Sequence, residues 1–217
     1  YINLVNELLR RLNEVQIELA NFGTTKNVQS LAKDSINSSI REIFQEAQEL
    51  PFTLVKDEHT LEVGTKTYSF PSDFSKADWD TFYLTNAQSA YPTKLPSISY
   101  ESYINDRRSL DDVAGVGGHS KPDTVYKTQE DKFGVTPIPD NTYVVEYRYW
   151  KVPADLSEST DVCIIPDRFK HVVIDGAMMY LMHFRSNDQS ARLHEDKFRT
   201  GIKSMRRLLV DSKDYLS

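Results

Sequence analysis

The stretch Thr142-Tyr-Val-Val-Glu-Tyr-Arg-Tyr-Trp150 decides how this chain is read. It is aromatic and β-branched, free of Gly and Pro, and reads as the clearest strand in the sequence. Before it, Pro137-Ile-Pro-Asp-Asn141 is a tight-turn signal. Two further strands are predicted near Thr124–Thr128 and Lys132–Thr136. Upstream, Phe52–Val55, Thr60–Val63, Thr67–Phe70 and Trp79–Leu84 also read as strands, separated by turns at Gly64-Thr-Lys66 and Pro71-Ser-Asp73. A short helix is expected after Ser99, its candidate N-cap, with Ser102 where a full capping box has Glu. Residues 111–123 and 154–160 read as loops.

Beyond both ends of this β-rich segment the period becomes helical. Residues 2–20 predict a helix with Leu4, Val5, Leu8, Leu9, Leu12 and Val15 on one side. Gly23 suits the break that follows. A second helix is expected from about Asn27 to Glu49, with a stripe of Val28, Leu31, Ile36, Ile40, Ile43, Phe44 and Ala47. The short loop predicts an antiparallel hairpin. After Pro166 a third helix shows Phe169, Val172, Val173, Ala177, Tyr180, Leu181 and Phe184. A fourth, from Ser186 to about Lys213, repeats Ala191, His194, Phe198, Ile202, Met205 and Leu209. The predicted fold class is α+β: a four-helix bundle-like body of two N-terminal and two C-terminal helices, carrying a β-rich insertion. The division is 1–50, 51–160 and 161–217.

Composition narrows the function classes. With 39% hydrophobic, 27% charged and 12 Tyr among 217 residues, the chain is globular and large enough for a sizeable core. Its net charge of −6 argues against a protein living on non-specific nucleic-acid affinity. A single cysteine, Cys163, excludes an internal disulfide and a multi-Cys zinc site. There is no run of 18 apolar residues, and the opening residues have no basic signal-peptide region, so no membrane partner is expected.

The search for chemistry returns no catalytic residue, no metal ligand set and no cofactor motif. His59, His119, His171, His183 and His194 never fall three or four apart. Cys163 precedes the apolar Ile164-Ile165-Pro166 and reads as a buried, inert thiol. Gly115-Val-Gly-Gly118 fits neither phosphate-binding pattern and reads as a flexible connector. Carboxylate pairs such as Asp57-Glu58 and Asp111-Asp112 default to solvated surface. One feature suggests binding. Lys203, Arg206 and Arg207 share one side of the last helix, with Arg199 near them and Lys197 and Lys213 on the same helix. That strip either meets an acidic partner or DNA, or is an ordinary solvated face. Residues 161–217 carry ten bases and eight acids, net +2, against −6 for residues 51–160.

Four stretches carry a resemblance. They are the opening Ile2-Asn-Leu-Val-Asn-Glu-Leu-Leu-Arg-Arg-Leu-Asn-Glu-Val15; Gly64-Thr-Lys-Thr-Tyr-Ser-Phe-Pro-Ser-Asp-Phe74; Phe133 to Tyr149; and Ile165-Pro-Asp-Arg-Phe169 leading into the Gly176-Ala177 helix. With the order of elements, they resemble the head-to-tail adaptor proteins of tailed bacteriophages, particularly the tail tubular protein A type of short-tailed phages. The second stretch has Phe70 where the family's LPxDF turn has Leu. The resemblance implies a non-enzymatic virion protein. Twelve copies would form a ring beneath the portal protein and present a platform to the tail nozzle or next tail component. DNA would pass through the central channel without specific binding. The C-terminal segment, with Lys213, Tyr215 and Leu216, would extend onto the portal. Lys203, Arg206, Arg207, Lys213, Tyr215 and Leu216 are thus the candidate partner-binding residues. The alternatives are a tail completion or stopper protein, or a non-viral helical interaction module.

Overall fold

The computed structural model describes residues 1–47, 49–85, 92–112, 118–128 and 130–210, without the side chain of Leu110. In chain order the elements are α1 (Ile2–Arg11), α2 (Val28–Glu46), β1 (Leu54–Leu61), β2 (Thr67–Ser69), β3 (Phe74–Thr85), β4 (Thr93–Lys94), β5 (Ser97–Ile98), α3 (Tyr100–Ser102), α4 (Arg108–Asp111), β6 (Thr124–Lys127), β7 (Lys132–Thr136), β8 (Tyr143–Lys151), α5 (Lys170–Phe184) and α6 (Asp188–Leu209). The fold is α+β, in two compact units. One is Tyr1–Thr53 with Val152–Ser217, the other Leu54–Lys151.

In the helical unit α5 is central and packs against α1, α2 and α6. It is therefore buried nearly all round: Val172, Val173, Ile174, Gly176, Ala177, Met178, Met179 and Leu181 are all enclosed. The single stripe expected for this helix understates its burial. It also misplaces Phe184, which ends the helix 71% exposed. Close approach is built on Gly176, where a Cβ would come within 2.3 Å of Ser39 Oγ and 2.6 Å of the Phe198 ring. The buried Ser39 hydroxyl donates to the Val173 carbonyl at 3.0 Å, so the polar group costs little there.

The expected first helix of residues 2–20 stops at Arg11. The chain leaves the helix through Asn13, whose φ is 56°, and returns along α1. The Asn6 side chain holds the returning segment, accepting from Ile17 N at 2.7 Å and donating to Ile17 O at 3.0 Å. Ile17 and Phe22 are buried in consequence, while Val15 turns outward, 78% exposed. The second helix is shorter than expected, ending at Glu46.

Among the described residues the β unit holds two four-stranded sheets, ordered β1-β8-β3-β4 and β2-β7-β6-β5. The decisive stretch is β8, paired antiparallel along its length with β1 and, through two irregularities, with β3. β5 and β6 pair in parallel, which no local signal indicates. Phe133 of β7 meets Phe82 of β3 and Tyr147 of β8, with ring centroids 5.6 and 5.5 Å apart, so one aromatic core joins both sheets. Tyr147, Tyr149 and Tyr143 enter that core ring first. Their hydroxyls donate to Asp57, Asp73 and Asp140, each at 2.8 Å.

The two short strands expected at Phe52–Val55 and Thr60–Val63 are one strand, β1. Its polar centre pairs regardless. Asp57 receives the Tyr147 hydroxyl, and Lys56 bridges Glu58 at 3.0 Å and Glu146 at 2.8 Å. Ser99 does cap α3, accepting from Ser102 N at 3.1 Å. The expected connector at residues 115–118 lies outside the described residues except for Gly118.

Candidate partner-binding surface

α6 is a 22-residue amphipathic helix whose start is fixed by the Asn187 side chain accepting from Ser190 N. Ala191, Phe198, Ile202 and Met205 face the core. At 3.6 residues per turn, Arg192, Arg199, Lys203, Arg206 and Arg207 then share an arc of roughly 100° on the outer side. The cations on this arc are not equivalent. Arg199 is clamped, its Nε 3.0 Å from Glu195 and a terminal nitrogen 3.0 Å from Glu46 of α2. Those bonds, Glu195 first, hold the guanidinium above even its ordinary value. Lys203, Arg206 and Arg207 are exposed and have no ion pair among the described residues. Arg206 borders a hollow of about 270 Å³ with Gln45, Glu46 and Glu49. The structure thus brings Lys203, Arg206 and Arg207 together and ties Arg199 to the body. Lys213, Tyr215 and Leu216 lie outside the described residues.

Beside the cations runs a feature the sequence reading did not single out. Leu193 and Leu208 on α6 are each 55% exposed. Leu193 edges a shallow groove of about 500 Å³ between α5 and α6, with Thr200 and Ser204 along it and His171 and Asp175 on the facing helix. The available signal was two leucines off the apolar stripe of an otherwise amphipathic helix.

The remaining candidate groups are placed as follows. His194 Nδ1 sits 3.2 Å from Asp175. Cys163 is half-buried, and burial pushes its thiol upward, away from the thiolate. Among the described residues no three His, Cys, Asp or Glu side chains group as a metal site would need. No helix among them is long and apolar enough to cross a membrane.

Cations without an ion pair among the described residues and two exposed leucines thus lie on one helix, a combination suited to a contact surface. The comparison with known families makes this specific: the model for the SU10 adaptor protein matches residues 1–215. The chain belongs to that family and is a phage adaptor, a structural protein. No curated protein matches it.

Proposed function

We propose that this protein is a head-to-tail adaptor of a short-tailed phage, of the tail tubular protein A type, without enzymatic activity. Twelve copies form a ring on the portal protein and present a platform to the tail nozzle or next tail component, at the head–tail interface of the virion. The ring is built in the host cytoplasm. The observation that carries this reading is the family match along residues 1–215.

In this reading the four long helices form a bundle-like ring body, and the β unit meets neighbouring copies or tail proteins. Ring contacts are heterologous, so one face of each copy must fit a different face of the next. The charges support such a fit: α6 offers unpaired cations, while residues 54–151 carry eleven bases against fifteen acids, a balance of −4. Twelve chains at −6 carry −72, and an acidic channel lets DNA slide without sticking.

The test reverses charge on the strip. Lys203→Glu with Arg207→Glu is expected to weaken assembly onto purified portal by at least about tenfold and to remove most of its salt dependence. Unchanged assembly would show that the strip is only a solvated face.

A further inference from the structure

Arg199, Lys203 and Arg207 follow one another at four-residue steps on α6, so like charges stand one turn apart, a spacing that costs helix stability. Glu195 and Glu46 neutralise Arg199. Lys203 and Arg207 have no such partner among the described residues. The residues three and four steps from Lys203 are Arg199, Thr200, Arg206 and Arg207, with no carboxylate among them. Arg206 borders the hollow edged by Glu46. Lys203 and Arg207 are left as an exposed pair of cations one turn apart, with exposed Thr200 beside them.

The β unit carries a counterpart. Between α3 and α4 the chain makes a π-helical turn, Tyr103–Arg107, a departure from α geometry that recurs at functional sites. Tyr103 is buried, while Glu101, Ile104, Asn105 and Asp106 are exposed. The cations that follow are engaged, Arg107 with Asp123 at 3.6 Å and Arg108 with Asp112 at 3.1 Å. Glu101 and Asp106 have no ion pair among the described residues. They are five residues apart, about one turn of a segment widened in this way, and Ile104 lies between them in sequence.

We propose that Lys203 and Arg207 of one copy dock on the Glu101–Asp106 turn of a second copy, with Ile104 packed on Thr200 and on the methylene stems of the two cations. Charge and spacing both match: two cations one turn apart meet two carboxylates one turn apart. The occupant is a second copy because every chain brings both halves. The contact joins the helical unit of one copy to the β unit of the next, so it is heterologous and can repeat around a ring. It rests on the ring reading proposed above and names the neighbour contact within it.

The experiment is disulfide trapping between free chains that all carry Cys163→Ser. One chain has Asn105→Cys and the other Thr200→Cys, so both cysteines replace exposed neutral residues and the four charges stay. Under mild oxidation at low salt the mixed dimer is expected in at least about tenfold excess over either self-dimer. Lys203→Glu with Arg207→Glu in the second chain should lower its yield at least about tenfold, and Glu101→Lys with Asp106→Lys in the first should restore it. Ser109→Cys replaces Asn105→Cys if the latter disturbs the fold. No excess of mixed dimer, or a loss that the second reversal does not restore, would overturn the proposal. On purified portal, a ring indifferent to both reversals would strike this contact and leave the ring reading standing. A contact trapped in solution beside a bare portal would uphold the contact and strike the ring.

Discussion

Gly176 and Asn6 show what single residues decide in this fold. A methyl group at position 176 would meet Ser39 Oγ at 2.3 Å and the Phe198 ring at 2.6 Å. Helix propensity favours Ala there by about 1 kcal/mol, but the three-helix contact leaves no room. Gly176→Ala is therefore expected to destabilise the chain by about 1–3 kcal/mol in urea unfolding. Gly23→Ala, where the added methyl meets nothing within 4 Å, should be neutral or slightly stabilising. Equal effects at the two positions would show that close packing at 176 is not limiting. Asn6 decides where the first helix ends, by holding Ile17 from eleven residues away. Nothing local marks that bond, and the apolar rhythm runs on through Leu12 to Val15. This is why the sequence reading carried the helix to residue 20.

Among elements, what could be read from sequence was whatever a single stripe or a two-residue alternation encodes. β8, α6 and the cap at Ser99 are of this kind. β1 was hidden by its polar centre, because Asp57 and Lys56 find partners, Tyr147 and Glu146, across the pairing with β8. α5 was readable as a helix but not as the central one, since burial on all sides comes from three neighbours. One of those contacts gives a pH prediction. Tyr180 of α5 donates to Glu42 of α2 at 2.7 Å, and burial, with Glu42, pushes its phenol from 10.0 up to about 12. The folded state keeps the proton that the unfolded chain releases. The resulting stability is complete below pH 10.0 and is lost as pH rises towards 12. The urea midpoint should therefore fall between pH about 8 and about 11, and fall less in Tyr180→Phe. An identical fall in the variant would remove Tyr180 as a cause.

At the scale of the whole molecule, the α+β class and the phage-adaptor resemblance were readable, because element order survives where individual motifs do not. The candidate surface was readable in part. Lys203, Arg206 and Arg207 share a helix side by spacing alone. That Glu46 also holds Arg199 depends on the end of α2 coming within ion-pair distance of α6, which no spacing within α6 can show. The central claim, a ring on the portal, is tested most directly by electron microscopy of the full chain mixed with purified portal protein. The account predicts extra density of twelve-fold symmetry at the portal's tail-facing end. A portal that stays bare while the chain remains a folded monomer would contradict it.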